Sequence, residues 1–155
     1  MNHDSAPRAA DPTPWRERWQ QGTTGWDLGA PHKLTIELVK LARARGRFTA
    51  PGRVYMPGAG RAHDAAVFVG AGSEVVAADF APEAMAEARR LYQALPRLSF
   101  VIEDVLATAP ETRATFDAVF DRAMLCALDP VLRPSYARAI AHRLRPGGVL
   151  LAIPF

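Results

Sequence analysis

The chain has 155 residues, 49% of them apolar, which is the composition of one ordinary globular domain. Its net charge of +3 comes from 19 Lys and Arg and 16 Asp and Glu residues, and the basic residues are dispersed, so nucleic-acid binding is not indicated. We also expect no membrane partner, because the sequence has no apolar run of about 18 residues. The lone Cys126 favours a reducing compartment, so we expect a cytoplasmic protein in which this thiol is a small apolar residue rather than a nucleophile.

The start of the chain predicts a polar tail followed by a short tryptophan-bearing helix. Residues 1–13 are expected to be disordered, and a single domain is expected over residues 14–155. A proline in its first turn suits a helix on which Trp15 and Trp19 lie four residues apart on one face. Two interpretations stay open, since these indoles can pack as core or cover a cationic ligand with their ring faces. Trp26 lies in a glycine-punctuated loop, where a purely structural tryptophan is unusual.

A second helix is predicted over residues 31–45, and Gly46 ends it. His32 stands near its beginning and is expected to be a surface or capping residue. The apolar side of this helix is expected to consist of Leu34, Ile36, Leu38, Val39 and Leu41.

The centre of the sequence is a glycine turn between two apolar runs. A strand over residues 53–56 runs into Pro57-Gly58-Ala59-Gly60, a helical pattern follows over residues 64–69, and a second strand over residues 74–78 ends at Asp79. A strand, glycine turn, helix, strand and acid in this order bind a nucleoside-bearing cofactor at the ends of parallel strands. Asp79 follows Gly60 by nineteen positions, about the spacing at which an acid accepts hydrogen bonds from ribose hydroxyls.

The composition of the glycine turn favours S-adenosylmethionine as the cofactor. A dinucleotide motif has a third glycine, whereas this turn continues to Asp64, whose carboxylate would repel a pyrophosphate. S-adenosylmethionine carries a sulfonium and an amino group and no phosphate. A dinucleotide site and a turn without any ligand remain the alternatives. Asp64 itself is placed either to cap the following helix or to face the amino group of the ligand.

Three predicted strands end in acids, which we expect to meet at one edge of a parallel sheet. The strands end at Asp79, Asp104 and Asp121, and the carboxyl ends of parallel strands are where open α/β sheets bind ligands. Arg122 follows directly and is placed to meet a substrate. Residues 149–153 predict a fifth strand, which is apolar throughout and therefore of the type buried on both faces.

Several motifs together resemble the thiopurine S-methyltransferase family of class I S-adenosylmethionine-dependent methyltransferases, especially its thiol and halide methyltransferase branch. The segment Leu144-Arg145-Pro146-Gly147-Gly148 before the last strand is typical of the class. The other matching stretches are Trp15-x-x-x-Trp19, residues 22–27 (GTTGWD), 56–64 (MPGAGRAHD), 79–84 (DFAPEA), 116–121 (FDAVFD) and 125–130 (LCALDP). The resemblance implies a Rossmann-like α/β fold, with a parallel sheet in the strand order 3-2-1-4-5 and helices on both faces.

The resemblance also implies roles for individual residues. The residues that would enclose or hold S-adenosylmethionine are Trp15, Trp19, Trp26, Gly58, Gly60, Asp79, Asp104, Val105 and Asp121. Among them, Asp79 would hold the ribose, and Asp104 and Val105 would flank the adenine. Asp121 and Arg122 would line the methyl-transfer site as substrate-positioning residues. No metal is expected.

The reaction implied is transfer of a methyl group to a small soft nucleophile, namely a thiol, a thiopurine or a halide. Such a nucleophile needs positioning rather than a dedicated base. The family continues beyond the fifth strand, so the chain is expected to be C-terminally truncated, with the antiparallel strands of the family missing. We then expect residues 149–153 to form a sheet edge, and the protein to be a monomer or an edge-paired oligomer. The alternative function is that of a non-catalytic protein that binds S-adenosylmethionine.

Overall fold

The computed structural model describes residues 13–49, 52–107 and 115–154. The predicted tail lies outside these ranges except for Thr13, which begins the first helix. The helices are α1 (Thr13–Gln20), α2 (Lys33–Ala44), α3 (Ala65–Gly70), α4 (Pro82–Tyr92), α5 (Met124–Ala127) and α6 (Arg133–Arg143), with a 3-10 turn at Pro130–Leu132. The strands are β1 (Arg53–Pro57), β2 (Glu74–Asp79), β3 (Leu98–Ile102), β4 (Phe116–Arg122) and β5 (Leu144–Ile153).

The strands form one parallel sheet in the order β3-β2-β1-β4-β5, which confirms the predicted topology. The first strand, β1, lies in the centre of the sheet. β2 and β3 follow on one side of it, and β4 and β5 lie on the other side. Tyr55 in β1 lies opposite Val76 in β2 and Val119 in β4. Because the order reverses beside β1, the carboxyl ends of β1 and β4 border the position where such sheets bind ligands.

Two apolar layers sandwich the sheet, because successive side chains of a strand point to opposite faces. On one face Val54 and Met56 of β1 belong to a cluster with side chains of α2, α3 and α4. On the other face Tyr55 packs in a cluster with Tyr136 and Ile140 of α6. Helices therefore cover both faces, as the resemblance implied.

The buried side of α2 differs from the predicted one. Thr35, Val39 and Ala42 are buried, whereas Leu34 and Leu41 are 38% and 47% exposed. The buried positions follow the spacing of one helix face, four and then three residues apart. Thr35 belongs to this face because its hydroxyl donates a hydrogen bond to Asp64 Oδ1 at 2.7 Å, a partner that the sequence of the helix does not disclose.

β5 also differs from its prediction as a strand buried on both faces. Leu151 and Ile153 are buried, whereas Leu150 is 48% exposed, so burial alternates along the strand. The reason is its place in the sheet, since β5 pairs with β4 and is an edge of the sheet in the described part of the chain. Within residues 13–49, 52–107 and 115–154, no helix is long and apolar enough to cross a membrane.

Candidate cofactor site at the carboxyl edge of the sheet

The glycine turn after β1 has a backbone conformation that only glycine adopts readily. Gly58 and Gly60 have φ values of +59° and +54°. A Cβ at Gly58 would lie 2.7 Å from Met124 Sδ, and one at Gly60 would lie 3.4 Å from the ring of Trp19. The turn is thus enclosed from two sides, by α5 and by the indole of α1.

Asp79, at the end of β2, is joined directly to this turn. Its Oδ2 accepts a hydrogen bond from Gly60 N–H at 3.0 Å, and its Oδ1 accepts one from Ala81 N–H at 2.9 Å. The side chain is buried, and this burial raises the pKa of Asp79 above its ordinary value although backbone N–H groups stabilise the carboxylate. A buried carboxylate whose hydrogen bonds here come from backbone amides is a ready acceptor for further neutral donors such as hydroxyls.

The three tryptophans of the chain meet in one group, of which Trp19 lies against the turn, and we call this group the tryptophan cap (Trp15, Trp19 and Trp26). The ring of Trp26 lies 5.3 Å from that of Trp15 and 6.0 Å from that of Trp19, both edge to face. All three are half-buried. The cap is attached to α4 through Glu83, which accepts hydrogen bonds from Arg16 Nη2 at 3.0 Å and Gln20 Nε2 at 2.9 Å. The structure therefore places the indoles against the candidate site rather than inside either apolar layer.

Asp121, near the end of β4, is buried at the same edge. Its Oδ2 accepts hydrogen bonds from Tyr136 Oη at 2.7 Å and Leu125 N–H at 3.2 Å, and its Oδ1 accepts one from Met124 N–H at 2.9 Å. Burial raises the pKa of Asp121, and the hydrogen bonds to its carboxylate offset only part of that effect. Asp121 thus fixes the start of α5, which carries the methionine that touches the glycine turn.

One of the two predictions for Asp64, that its side chain caps α3, is wrong. No backbone N–H of that helix bonds its side chain. Instead, the carboxylate is buried and accepts hydrogen bonds from His32 N–H at 2.8 Å and from the Thr35 hydroxyl, and Arg122 Nε lies 2.6 Å from its Oδ2. An ion pair with a guanidinium satisfies this carboxylate better than the helix end would. Arg122 is therefore held at the sheet edge by Asp64, and His32 caps α2 through its ring nitrogen, as one of its predicted roles required.

Asp104 and Val105 follow β3 and lie at the same edge. Asp104 Oδ1 accepts a hydrogen bond from Leu106 N–H at 2.9 Å, which makes a tight turn, and Val105 is buried in the layer that contains Tyr55. Arg143 reaches this segment from α6 and donates to Val105 O at 3.3 Å. The predicted adenine-flanking segment is thus anchored to the opposite layer.

Sequence reasoning missed a polar cluster behind the tryptophan cap. Arg61 Nη1 donates to Asp27 Oδ2 at 2.7 Å and to Thr24 Oγ1 at 3.1 Å. His63 is buried next to them, with Nδ1 at 2.7 Å from Tyr92 Oη. The sequence indicated this cluster only through the places of two residues, since Asp27 directly follows a tryptophan and Arg61 directly follows a glycine of the turn. Pairing between them, however, joins residues 34 positions apart and depends on the fold.

Comparison with known proteins identifies the relatives of this chain. It is 31% identical over 144 residues to a probable thiol methyltransferase 2 of Arabidopsis thaliana, covering 91% of this chain and 61% of that protein. It is 27% identical over 158 residues to a thiopurine S-methyltransferase of Bordetella pertussis, covering 91% of this chain and 70% of the relative. The chain thus spans less than two thirds of the length of the plant protein.

Solved structures give the same fold. A 1,6-didemethyltoxoflavin-N1-methyltransferase of Burkholderia thailandensis, crystallised with 1,6-didemethyltoxoflavin and S-adenosylhomocysteine, superposes with a TM-score of 0.68 at 28% identity, covering 86% of this chain and 56% of that one. The family model of thiopurine S-methyltransferase matches residues 10–154, nearly the whole chain. The motifs of the sequence, the sheet order and these matches agree, and the chain belongs to the thiopurine S-methyltransferase family.

Proposed function

We propose that this chain binds S-adenosylmethionine at the carboxyl edge of its sheet and serves the transfer of the methyl group to a small soft nucleophile. The observation that carries the proposal is the meeting of the tryptophan cap, the glycine turn and the buried acid Asp79 at this one edge. An acid that accepts backbone hydrogen bonds suits ribose hydroxyls. Aromatic faces beside this glycine turn suit a sulfonium.

The acids at this edge favour a cationic ligand over a phosphate. Asp79 and Asp121 are both buried, and the hydrogen bonds that they accept come from neutral donors, namely backbone N–H groups and the Tyr136 hydroxyl. Burial raises the pKa of both carboxyls, so the protein itself stabilises their ionised forms incompletely. A ligand with a sulfonium and an ammonium group would supply the missing positive charge, whereas a pyrophosphate would add to the negative charge.

When bound, S-adenosylmethionine supplies an electrophilic methyl group on a positively charged sulfur. The protein has then to align the acceptor with that group and to keep water away. Arg122 provides a cation at the same edge for an anionic acceptor, and Asp64 orients its guanidinium through Nε. No general base is required for a thiolate or a halide, because both are nucleophiles without losing a further proton.

A sulfur acceptor is supported by the names of the relatives. They include thiol, thiocyanate and thiopurine methyltransferases of plants and bacteria. A halide shares the chemistry of these acceptors, since it is also a soft nucleophile that needs no base. We therefore place thiols and thiopurines first among acceptors and halides second.

Two measurements test the proposal. Isothermal titration calorimetry with S-adenosylmethionine, S-adenosylhomocysteine and NAD should give saturable binding of the first two and none of NAD. Gas chromatography of reactions with hydrosulfide or iodide, and liquid chromatography of reactions with a thiopurine, should then detect the methylated product. Binding of NAD instead would overturn the cofactor assignment. Binding of S-adenosylmethionine without methylation of any of these acceptors would favour a non-catalytic binding protein over an enzyme.

A further inference from the structure

The tryptophan cap reaches the candidate site through few polar links, and these links differ in their protection from water. On its outer side, Arg16 and Glu83 join α1 to α4 at 3.0 Å, with side chains that are 45% and 27% exposed. Water and salt weaken such a surface pair. On its inner side, Asp27 and Arg61 pair at 2.7 Å, and only 8% and 26% of their side chains are exposed. The inner pair is therefore the stronger of the two links.

Asp27 is held so that it presents its carboxylate to the glycine turn. Its Oδ1 accepts a hydrogen bond from Gly29 N–H at 2.7 Å and lies 3.2 Å from His63 Nε2, and its Oδ2 accepts the one from Arg61. Burial opposes ionisation of this group, yet the hydrogen bonds from Arg61 and Gly29, together with the electrostatic effects of His63 and Arg61, outweigh it and lower the pKa of Asp27. The carboxylate is thus ionised throughout the neutral range, as an ion pair requires.

Arg61, next to the turn, makes one contact with the cap and two with the loop that carries Trp26. Its guanidinium carbon lies 5.0 Å from the ring centroid of Trp19, and Nη1 donates to both Asp27 and Thr24. Since Arg61 follows Gly60 directly and Asp27 follows Trp26 directly, the pair joins the two segments at the positions where indole and turn meet. A shift of this pair would therefore move the indoles relative to the turn.

We propose that Asp27 and Arg61 form a latch that positions the tryptophan cap over the glycine turn and thereby sets the affinity for the cofactor. Both are positioning residues, acting through the indoles. Breaking the pair is expected to loosen the cap locally rather than unfold the protein, because Asp27 and Arg61 lie in the loop before α2 and the turn after β1 and belong to none of the described helices or strands. The consequence for affinity rests on the proposed function, whereas the holding of the cap does not.

The experiment uses the variants Asp27→Asn, Arg61→Gln and the double variant. All three tryptophans of the protein lie in the cap, so fluorescence excited selectively at tryptophan reports on the cap alone. A matched control is Arg53→Gln, because Arg53 pairs with Glu74 at 3.1 Å and lies 5.0 Å from the ring of Phe116, at the opposite end of β1.

Without ligand, both single variants should show red-shifted tryptophan emission and stronger acrylamide quenching, while their melting temperatures change by only a few degrees. Calorimetry with S-adenosylmethionine should show binding about tenfold weaker, as for the loss of one partly buried charge-assisted hydrogen bond. The double variant should bind about as weakly as either single one, because both remove the same link. The control should resemble the parent in emission and affinity.

Three results would overturn the latch. They are unchanged emission in both single variants, losses of affinity that add in the double variant, and global destabilisation with unchanged affinity. The last of these would make the pair a structural tie of the fold. A parent protein that does not bind S-adenosylmethionine would refute the proposed function and the effect on affinity, while the fluorescence without ligand would still decide whether the pair holds the cap.

Discussion

Replacing Asp79 with Ala tests the proposed ribose contact at the residue that joins β2 to the glycine turn. The carboxylate is only 8% exposed and already accepts two backbone hydrogen bonds. Ribose hydroxyls would donate to the same ionised group, and hydrogen bonds to a charged acceptor contribute about 1.5–3 kcal/mol. We therefore expect Asp79→Ala to bind S-adenosylmethionine roughly ten- to a hundredfold more weakly, measured by calorimetry.

The same substitution should change the stability without ligand much less. It removes two hydrogen bonds, but it also removes a buried charge whose desolvation raises the pKa of Asp79, and these effects oppose each other. A matched control is Asp129→Ala, since Asp129 Oδ1 accepts from Val131 N–H at 3.0 Å, two residues on, as Asp79 does from Ala81. Asp129 is exposed, so its loss should leave cofactor affinity unchanged.

The pH dependence of cofactor affinity provides an independent test of the role of Asp79. The pKa of Asp79 is raised above its ordinary 3.8, so the folded protein binds this proton more tightly than the unfolded chain, and protonation stabilises the ligand-free fold as pH falls. Ribose hydroxyls need the ionised form, so affinity should fall as pH drops through the raised pKa. Titrations in a pH series should show this loss in the parent and not in Asp79→Ala. A folded Asp79→Ala protein that binds as tightly as the parent would refute the ribose assignment.

Three further predictions concern the surroundings of the site. Gly58→Ala should lower the free energy of unfolding more than Gly147→Ala in urea titrations, because both glycines have positive φ but only the first has a neighbour, Met124 Sδ, within 4 Å; equal losses would remove the crowding argument. Hydrogen bonds from Arg16 and Gln20 lower the pKa of Glu83 to about 2, so its contribution to holding the cap is present above its ordinary value of 4.5 and is lost as pH falls toward 2. An NMR titration of this carboxyl should show the low midpoint, and Arg16→Met should move it toward 4.5. Tyr136→Phe should destabilise the protein by about 1–2 kcal/mol in chemical denaturation, since it removes a donor from the buried Asp121, and an unchanged midpoint would contradict this.

The strands and their order could be predicted because the information lies within short segments. Each strand contains a short apolar run, Asp79 is the last residue of β2, and Asp121 is the last residue but one of β4. The strands alternate with helical patterns, which leads to a parallel sheet with its ligand edge at those acids. The strand order came from the family resemblance, since local patterns alone do not specify which strands are neighbours.

The links between elements could not be predicted in the same way. Asp64 offered two local interpretations, a helix cap or a ligand contact; the structure shows no cap and pairs the carboxylate with Arg122, 58 positions away. Likewise, the buried side of α2 depends on Thr35, which counts as polar in any hydrophobic pattern and is buried because Asp64 lies beside it. In both cases the deciding partner is brought close only by the folded sheet.

The carboxylates of this region divide into two groups according to their partners. Asp27 and Asp64 are paired with Arg61 and Arg122, and these pairs hold parts of the protein together. Asp79 and Asp121 have neutral donors instead, and burial raises the pKa of both.

A protein that needed only stability would gain by giving these two buried acids cationic partners or by replacing them. The ionised forms of these two carboxyls are incompletely stabilised by the protein alone. If a ligand supplies the missing positive charge and hydrogen-bond donors, the interactions with these carboxylates contribute to its binding affinity. The same arrangement would make the site selective, since a phosphate would meet uncompensated negative charge where a sulfonium meets attraction.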